Sequence, residues 1–255
     1  MAPFSAPARS YSETKSRTSA EYVKFDPKYR VVLRMLEPEA RQVWKHWIGA
    51  ANGGKGLSPV CPNVEPGLNI CPVEKAYAHL PKDDQERKNN YARRKFVINV
   101  LDRTPHTTCP SCETVTPGTI NPANPGTKRC IRCEADLKDA TFAPLDKIKI
   151  LEHGPRLFND QLNVIDEMQK QDFKKDITEY DITFTTQGSG REKKITAIPQ
   201  DPKPLPEDAL LDKETGEPQK KFDLDALTEP ETVEVIELMM EGATIDQINA
   251  VRGIE

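Results

Sequence analysis

Long apolar runs are missing from this 255-residue chain. None approaches the roughly 18 residues that a membrane-spanning helix needs, and the N-terminus lacks the apolar core of a signal peptide. The expectation is a soluble, intracellular protein with no membrane partner. Apolar residues are also scarce, at 36%, against 30% charged residues and 22 prolines. So little apolar surface does not suit a wholly compact fold, and part of the chain reads as tail or linker. There is no Gly-rich phosphate loop, no cluster of metal-binding carboxylates and no nucleophile beside an obvious base. His106 and His153 stand isolated, so the chain does not read as an enzyme. The six cysteines do not suggest a disulfide scaffold either, since four of them form two CxxC pairs, which favours metal.

The charge that is present is unevenly placed. Residues 201–255 hold 15 Asp/Glu against 5 Lys/Arg, a balance of −10, which leaves 25 against 31, or +6, for residues 1–200. A basic body with an acidic tail recurs in nucleic-acid-binding proteins, although two solvated surfaces of opposite sign would look the same. Residues 1–20, with Arg9, Lys15 and Arg17 among Ala, Ser, Pro and Thr, read as a flexible arm.

Hydrophobic periodicity predicts the core. Tyr29–Leu36 (YRVVLRML) and Gln42–Ile48 read as strands, and Cys71–Tyr91 as helix interrupted near Pro81. Tyr91–Arg103 (YARRKFVINVLDR) reads as a basic, aromatic strand, Lys147–Leu151 as a further strand, and Leu157–Gln171 as a core-facing helix. Tyr180–Thr186 and Lys193–Ile198 alternate around a QGSG turn and read as a hairpin. This order suits an α+β, mainly β fold: a five-stranded oligonucleotide-binding (OB) barrel with zinc-binding insertions, though a generic α+β sheet has the same order. The domains are a basic arm (1–20), a core (21–200) with a zinc-like subdomain (41–90) and a zinc-ribbon insertion (104–140), and an acidic linker with a short helical tail (201–255). The tail's helices, Glu231–Glu241 and Thr244–Val251, read as a detachable interaction motif on a tether.

Two metal sites are predicted. Cys109, Cys112, Cys130 and Cys133 form CxxC pairs 17 residues apart, spaced for one tetrahedral zinc. Four thiolates make such a site closed and structural. His46, Cys61, Cys71 and Glu74 are a second candidate set. Two buried thiols and a strand histidine would read the same way.

Together these features resemble the single-stranded DNA-binding, helix-destabilising protein of T4-like phages. In that family a barrel is interrupted by a zinc subdomain with ligands in the order His, then Cys-x9-Cys-x2-Cys. Here His46, Cys61 and the CPVE of Cys71–Glu74 follow the pattern, with Glu74 where the last Cys would stand. KFVINVLD, KILEHGPRLFNDQLNVID (Lys149–Asp166) and YDITFTTQGSGREKKITAIP (Tyr180–Pro199) resemble later strands, helix and hairpin. Lys15-Ser16-Arg17-Thr18-Ser19 echoes the basic arm motif.

The resemblance implies binding and protection of single-stranded DNA in replication, recombination and repair, in the cytoplasm of an infected bacterial host. It also implies self-association through the arm, and recruitment of replication proteins by the tail. The candidate stacking residues are Trp44, Trp47, Tyr77, Tyr91 and Phe184. The candidate phosphate contacts are Lys28, Arg30, Arg34, Lys45, Arg93, Arg94, Lys95, Lys193 and Lys194. On a regular strand only one of Trp44 and Trp47 is expected to face a groove. The alternative is a zinc-ribbon transcription or replication accessory factor that contacts a polymerase.

Overall fold

The computed structural model describes residues 21–48, 57–63, 70–118, 128–188 and 192–253. The basic arm, the Ala50–Gly56 turn, much of the segment between the CxxC pairs and the tip of the expected hairpin lie outside the described residues. In chain order the strands are β1 (Val31–Met35), β2 (Arg41–Lys45), β3 (Arg93–Asp102), β4 (Pro105–Thr108), β5 (Val115–Pro117), β6 (Ala143–Pro144), β7 (Lys147–His153), β8 (Asp181–Gln187) and β9 (Lys194–Pro199). The helices are α1 (Pro72–Tyr77), α2 (Gln85–Asn90), α3 (Asn163–Phe173), α4 (Leu224–Thr228), α5 (Val233–Glu241) and α6 (Ile245–Val251). The fold is mixed and mostly sheet, and the chain divides into two compact units.

The larger unit, Glu21–Arg41 with Phe96–Phe222, is built on an antiparallel sheet. β7 pairs with β3 (Ile98 opposite Leu151), β3 with β1 (Leu33 opposite Asp102), β1 with β8 (Val31 opposite Phe184) and β8 with β9. Among the described residues no ladder joins β9 to β7, so the sheet is open and barrel closure is not seen. Alternation points Val31, Leu33, Met35, Ile98, Val100, Ile182 and Phe184 to one face. There they pack with Leu157, Phe158, Leu162, Ile177 and Tyr180. Burying such side chains contributes about 1.5–3 kcal/mol each.

The predicted core helix begins as a turn at Pro155–Leu157 and widens into a π-turn over Phe158–Leu162 before α3. Its first turns bury Leu157, Phe158 and Leu162, but Met168, further along the helix expected to face the core, is exposed. A separate three-stranded sheet, β5-β4-β6, carries the cysteine insertion.

The sheet's other face is also covered, which explains why β3 is apolar on both sides. Leu101 and Ile148 pack with Leu205, Ala209 and Phe222. The proline-rich acidic stretch from Asp201, expected to be a linker, is therefore part of this unit. Polar side chains fix it there. The Asn99 amide donates to the Phe222 carbonyl (3.0 Å) and its oxygen accepts from the Phe222 N–H (3.0 Å), while Gln219 accepts from the Ile148 N–H (2.9 Å).

The smaller unit contains Gln42–Lys95 and Asp223–Glu255. After β2 the chain pairs antiparallel with residues 57–61: the Cys61 N–H donates to the Trp44 carbonyl (2.7 Å), the His46 N–H to the Pro59 carbonyl (3.1 Å), and Ile48 and Leu57 exchange two bonds. α1 starts with Pro72 at its first position and α2 is capped by the Asp84 carboxylate, so the predicted helix breaks in the Pro81 region. The tail helices pack on this unit rather than trailing from a tether. Ile236 is fully buried against Cys61, Cys71 and Val73, while Val235, Met239 and Ile248 pack with Ile48 and Leu57. Thr232 and Thr244 cap α5 and α6, the latter in a capping box with Gln247, and Gly242 (φ 80°) ends α5 in the left-handed conformation.

Candidate metal centres and nucleic-acid interface

The two CxxC pairs form matching knuckles. The Glu113 N–H donates to the Cys109 carbonyl (2.8 Å) and the Cys109 N–H to the Thr114 carbonyl (3.0 Å). The second pair repeats this with Glu134 to Cys130 (3.1 Å) and Cys130 to Ala135 (3.0 Å). Glu113 and Glu134, the residue after each second cysteine, are both left-handed, at φ 56° and 59°. A non-glycine residue takes that conformation at a cost, and here the same turn is imposed twice. The Sγ atoms of Cys109 and Cys133 lie 3.6 Å apart, and those of Cys112 and Cys130 3.5 Å apart. A disulfide would need about 2.05 Å. Bonds of about 2.3 Å to one tetrahedral ion would set sulfurs roughly 3.8 Å apart.

All four ligand atoms lie within 4.8 Å of one another, so this cluster could hold a metal ion such as zinc. The thiols are strongly coupled. Backbone N–H donation at Cys133 and the Thr116 hydroxyl hold Cys130 down to about 5, and Thr114 lowers Cys112. Cys133 is pushed up to about 12, because the crowding thiols outweigh the lowering donation at Ala135. Adjacent thiolates resist a common charge unless a cation neutralises them.

His46, Cys61 and Cys71 form a second cluster in the smaller unit, all three buried. His46 Nδ1 lies 2.8 Å from the Asn90 carbonyl, which accepts its N–H hydrogen bond and so turns Nε2 toward Cys71 Sγ, 3.1 Å away. The Cys61 thiol beside it, and then His46, hold Cys71 down to about 4, while Cys61 itself is raised by Cys71 and burial. Burial pulls His46 down, but Cys71, the Asn90 carbonyl and Glu74 outweigh it and raise its pKa.

Glu74 is not part of this cluster, which corrects its expected place as fourth ligand. Its carboxylate accepts from the Asn63 amide (2.7 Å), whose oxygen in turn accepts from the Ile70 (3.0 Å) and Cys71 (3.1 Å) N–H groups. Sequence reasoning did not single out Asn63. A carboxamide two residues past Cys61, able to bridge loop N–H groups and a carboxylate, is the signal that was there.

Trp44 is 40% exposed and Trp47 59% exposed. Both face outward because the strand ends at Lys45: Val43 and His46 are buried, a spacing of three instead of two. Tyr77 packs at the edge of the Cys61/Cys71 cluster. Arg87 stacks over the Tyr91 ring at 4.8 Å and donates to its hydroxyl (2.9 Å). Arg93 is exposed, and Lys45, Arg94 and Lys95 are half-buried. These residues, Trp44, Lys45, Trp47, Tyr77, Tyr91 and Arg93–Lys95, all belong to the smaller unit.

The other candidates lie in the larger unit. Lys28, Arg30 and Lys194 are exposed, and the Lys193 ammonium donates to the Phe25 carbonyl. Two candidates are corrected. Phe184 has 0% exposure in the core and offers no ring face to a base. Arg34 is 2% exposed, with Nε on the Asp181 carboxylate (2.7 Å) and donation to the Thr178 (3.3 Å) and Lys203 (3.0 Å) carbonyls. Arg103 completes the network at Asp181 (3.1 Å) and Asp146 (3.2 Å). A buried, fully bonded guanidinium secures structure and is not available to phosphate.

No helix among the described residues is long and apolar enough to cross a membrane. No protein-family model matches the chain, and no curated protein matches it.

Proposed function

We propose that the chain binds single-stranded DNA with little sequence preference. The observation that carries this reading is the exposed Trp44–Trp47 pair, with Lys45 between them in sequence and the exposed Arg93 in the same compact unit. Large uncovered aromatics are expensive to leave in water, and each has a π-face for any base, worth about 1–3 kcal/mol per stacked base. Neighbouring cations would neutralise phosphates and release counterions. Zinc at Cys109/Cys112/Cys130/Cys133 would staple the insertion. A second zinc at His46/Cys61/Cys71 would fix the segment that presents both tryptophans, because Trp44 is bonded to Cys61 and His46 lies between the two rings in sequence.

In this reading the sheet of the larger unit is an OB-type core. Its meander β1, β3 and β7, followed by a helix and the β8–β9 hairpin with β8 beside β1, supports that assignment. The biological setting is phage DNA replication, recombination and repair in a bacterial cytoplasm, with the basic arm joining neighbouring subunits and the acidic C-terminal region meeting replication proteins. The test is tryptophan fluorescence during titration with single- and double-stranded oligonucleotides at several salt concentrations. Quenching with single-strand preference and a steep salt slope is expected. Equal affinity for both forms, or no binding, would refute the proposal.

A second reading is favoured by the exposed Ile131 at the tip of the Cys130–Cys133 knuckle and by exposed Val115. These would suit a zinc-ribbon accessory factor contacting a polymerase. It predicts that ribbon substitutions remove partner binding while oligonucleotide affinity stays unchanged.

A further inference from the structure

The larger unit contains a cavity of about 240 Å³ between the loop after β1, the first part of β3 and the π-turn. Met35, Phe96, Ile98, Phe158, Leu162 and Ile177 make its apolar walls. Phe96 and Phe158 stack on each other at 5.1 Å with their planes 25° apart, and both rings contribute to the lining. Three polar residues, Glu39, Asn159 and Asn163, also line it. Glu39 and Asn163 are exposed and Asn159 is half-buried, and among the described residues none of the three side chains has a hydrogen-bond or ion-pair partner in the protein, so each is open to a ligand in exchange for water.

Local backbone geometry places the two asparagines. In the π-turn the Asn163 N–H donates to the Phe158 carbonyl, five residues back. Such turns interrupt α-helices frequently at functional sites. Here one brings Asn159 and Asn163 to the same cavity as Phe96 and Phe158.

We infer that this cavity binds a nucleobase bearing an exocyclic amine. Its volume lies below the roughly 300–1,000 Å³ of pockets for drug-sized ligands, which suits a single flat ring system. The Phe96 and Phe158 rings among aliphatic neighbours give an apolar lining that suits such a ring. Each carboxamide supplies both a donor and an acceptor, which any base edge can use, and the acceptor-only Glu39 carboxylate favours an edge that carries the extra donors of an amino group. Among the described residues no lining residue is basic, so a phosphate is not recognised inside and the sugar would remain at the mouth. The inference rests on the larger unit alone and does not depend on strand binding by Trp44 and Trp47. The base could belong to a polynucleotide or to a free nucleoside.

The test is an NMR titration of the full chain with adenosine, cytidine or thymidine, following the carboxamide signals of Asn159 and Asn163. In parallel, affinities for oligo-dA and oligo-dT are measured. Adenosine and cytidine are expected to shift these signals, with thymidine at least about fivefold weaker. Glu39→Gln should reduce that preference, and Ala40→Leu, which fills the cavity, should abolish the shifts in a protein whose remaining spectrum is unchanged. If Glu39→Gln also lowers the oligo-dA to oligo-dT ratio, the base comes from a strand; if only the nucleoside result changes, the ligand is free nucleoside. Equal response to thymidine, binding that survives Ala40→Leu, or no shift at millimolar nucleoside would each overturn the inference. Failure of strand binding with nucleoside shifts retained would refute the proposed function and leave this site standing.

Discussion

Truncating Ile236 separates a structural C-terminal segment from a detachable one. Ile236 has no exposed surface and sits in the cluster formed by Cys61, Cys71 and Val73. Removing its outer carbons in Ile236→Ala should cost about 2–5 kcal/mol, the range for buried aliphatic truncations. A domain has only about 5–15 kcal/mol in total, so this is a large fraction. Deleting Asp223–Glu255 should do more. It strips Val235, Ile236 and Met239 together, each worth about 1.5–3 kcal/mol of burial. The assay is urea unfolding of the full chain, combined with mass-spectrometric labelling of individual thiols by a maleimide. Ile236→Ala should lower the midpoint and speed labelling of Cys61 and Cys71, while Cys133, already exposed, labels at an unchanged rate. Met240→Ala on the outer side of the same helix, at 38% exposure, should shift stability by no more than about 0.5 kcal/mol. Unchanged midpoint and unchanged Cys61 and Cys71 labelling in Ile236→Ala would refute the packing argument and restore a tethered tail.

Further predictions concern each candidate site. Trp44→Ala with Trp47→Ala should weaken single-strand binding by about 1–3 kcal/mol per lost stack, read by fluorescence anisotropy of a labelled oligonucleotide, with little change in the unfolding midpoint because both rings are exposed. Cys130→Ser should remove one equivalent of zinc by elemental analysis and leave the smaller unit's Cys61 and Cys71 protected. Asp176 is held below the usual carboxylate range first by the Thr178 hydroxyl and backbone N–H, opposed by burial. Its contribution to stability is therefore complete above the ordinary Asp pKa and is lost as pH falls through the lowered value. Asp176→Asn should flatten the acid side of the stability curve measured by urea unfolding between pH 7 and pH 3.

Much of the architecture could be read from alternation, and the misreadings came from where alternation ends or where a second layer covers it. β1, β3, β7 and the β8–β9 hairpin stand close to where period-two patterning predicts them, and CxxC spacing located the ribbon. Phe184 shares the parity of Ile182, so the pattern itself points it to the core; reading it as a stacking ring followed its chemistry over its position. Arg34 has the opposite parity to Leu33 and Met35, and that face would be solvent if the 201–222 segment did not cover it. Only its long-range partners, Asp181 and the Lys203 carbonyl, make it internal. Proline and acidic residues made that segment look like a linker, but Leu205, Ala209 and Phe222 are few enough to be hidden by their neighbours and still close a sheet face. Trp44 and Trp47 escape the one-in, one-out rule because β2 stops between them.

The same division between apolar and charged residues decides how the C-terminal helices would act on a DNA strand bound as proposed. α5 turns Val235, Ile236 and Met239 inward, which leaves Glu234, Glu237 and Glu241 exposed on its other side. Acidic charge in this region is therefore held on a folded element of the unit that carries Trp44, Trp47, Lys45 and Arg93. If it opposes strand binding, it does so as a fixed field and needs no release of the helices. Replacing Glu234, Glu237 and Glu241 by Gln should then raise single-strand affinity roughly tenfold at low salt, at about 0.2–1 kcal/mol per exposed charge. The gain should vanish near 1 M salt, where screening acts within about 3 Å. The unfolding midpoint should not move, because these carboxylates support no buried contact. Unchanged affinity at low salt would show that the acidic face does not reach the strand, whereas a gain that persists at high salt would mean the helices had come away, contrary to their burial.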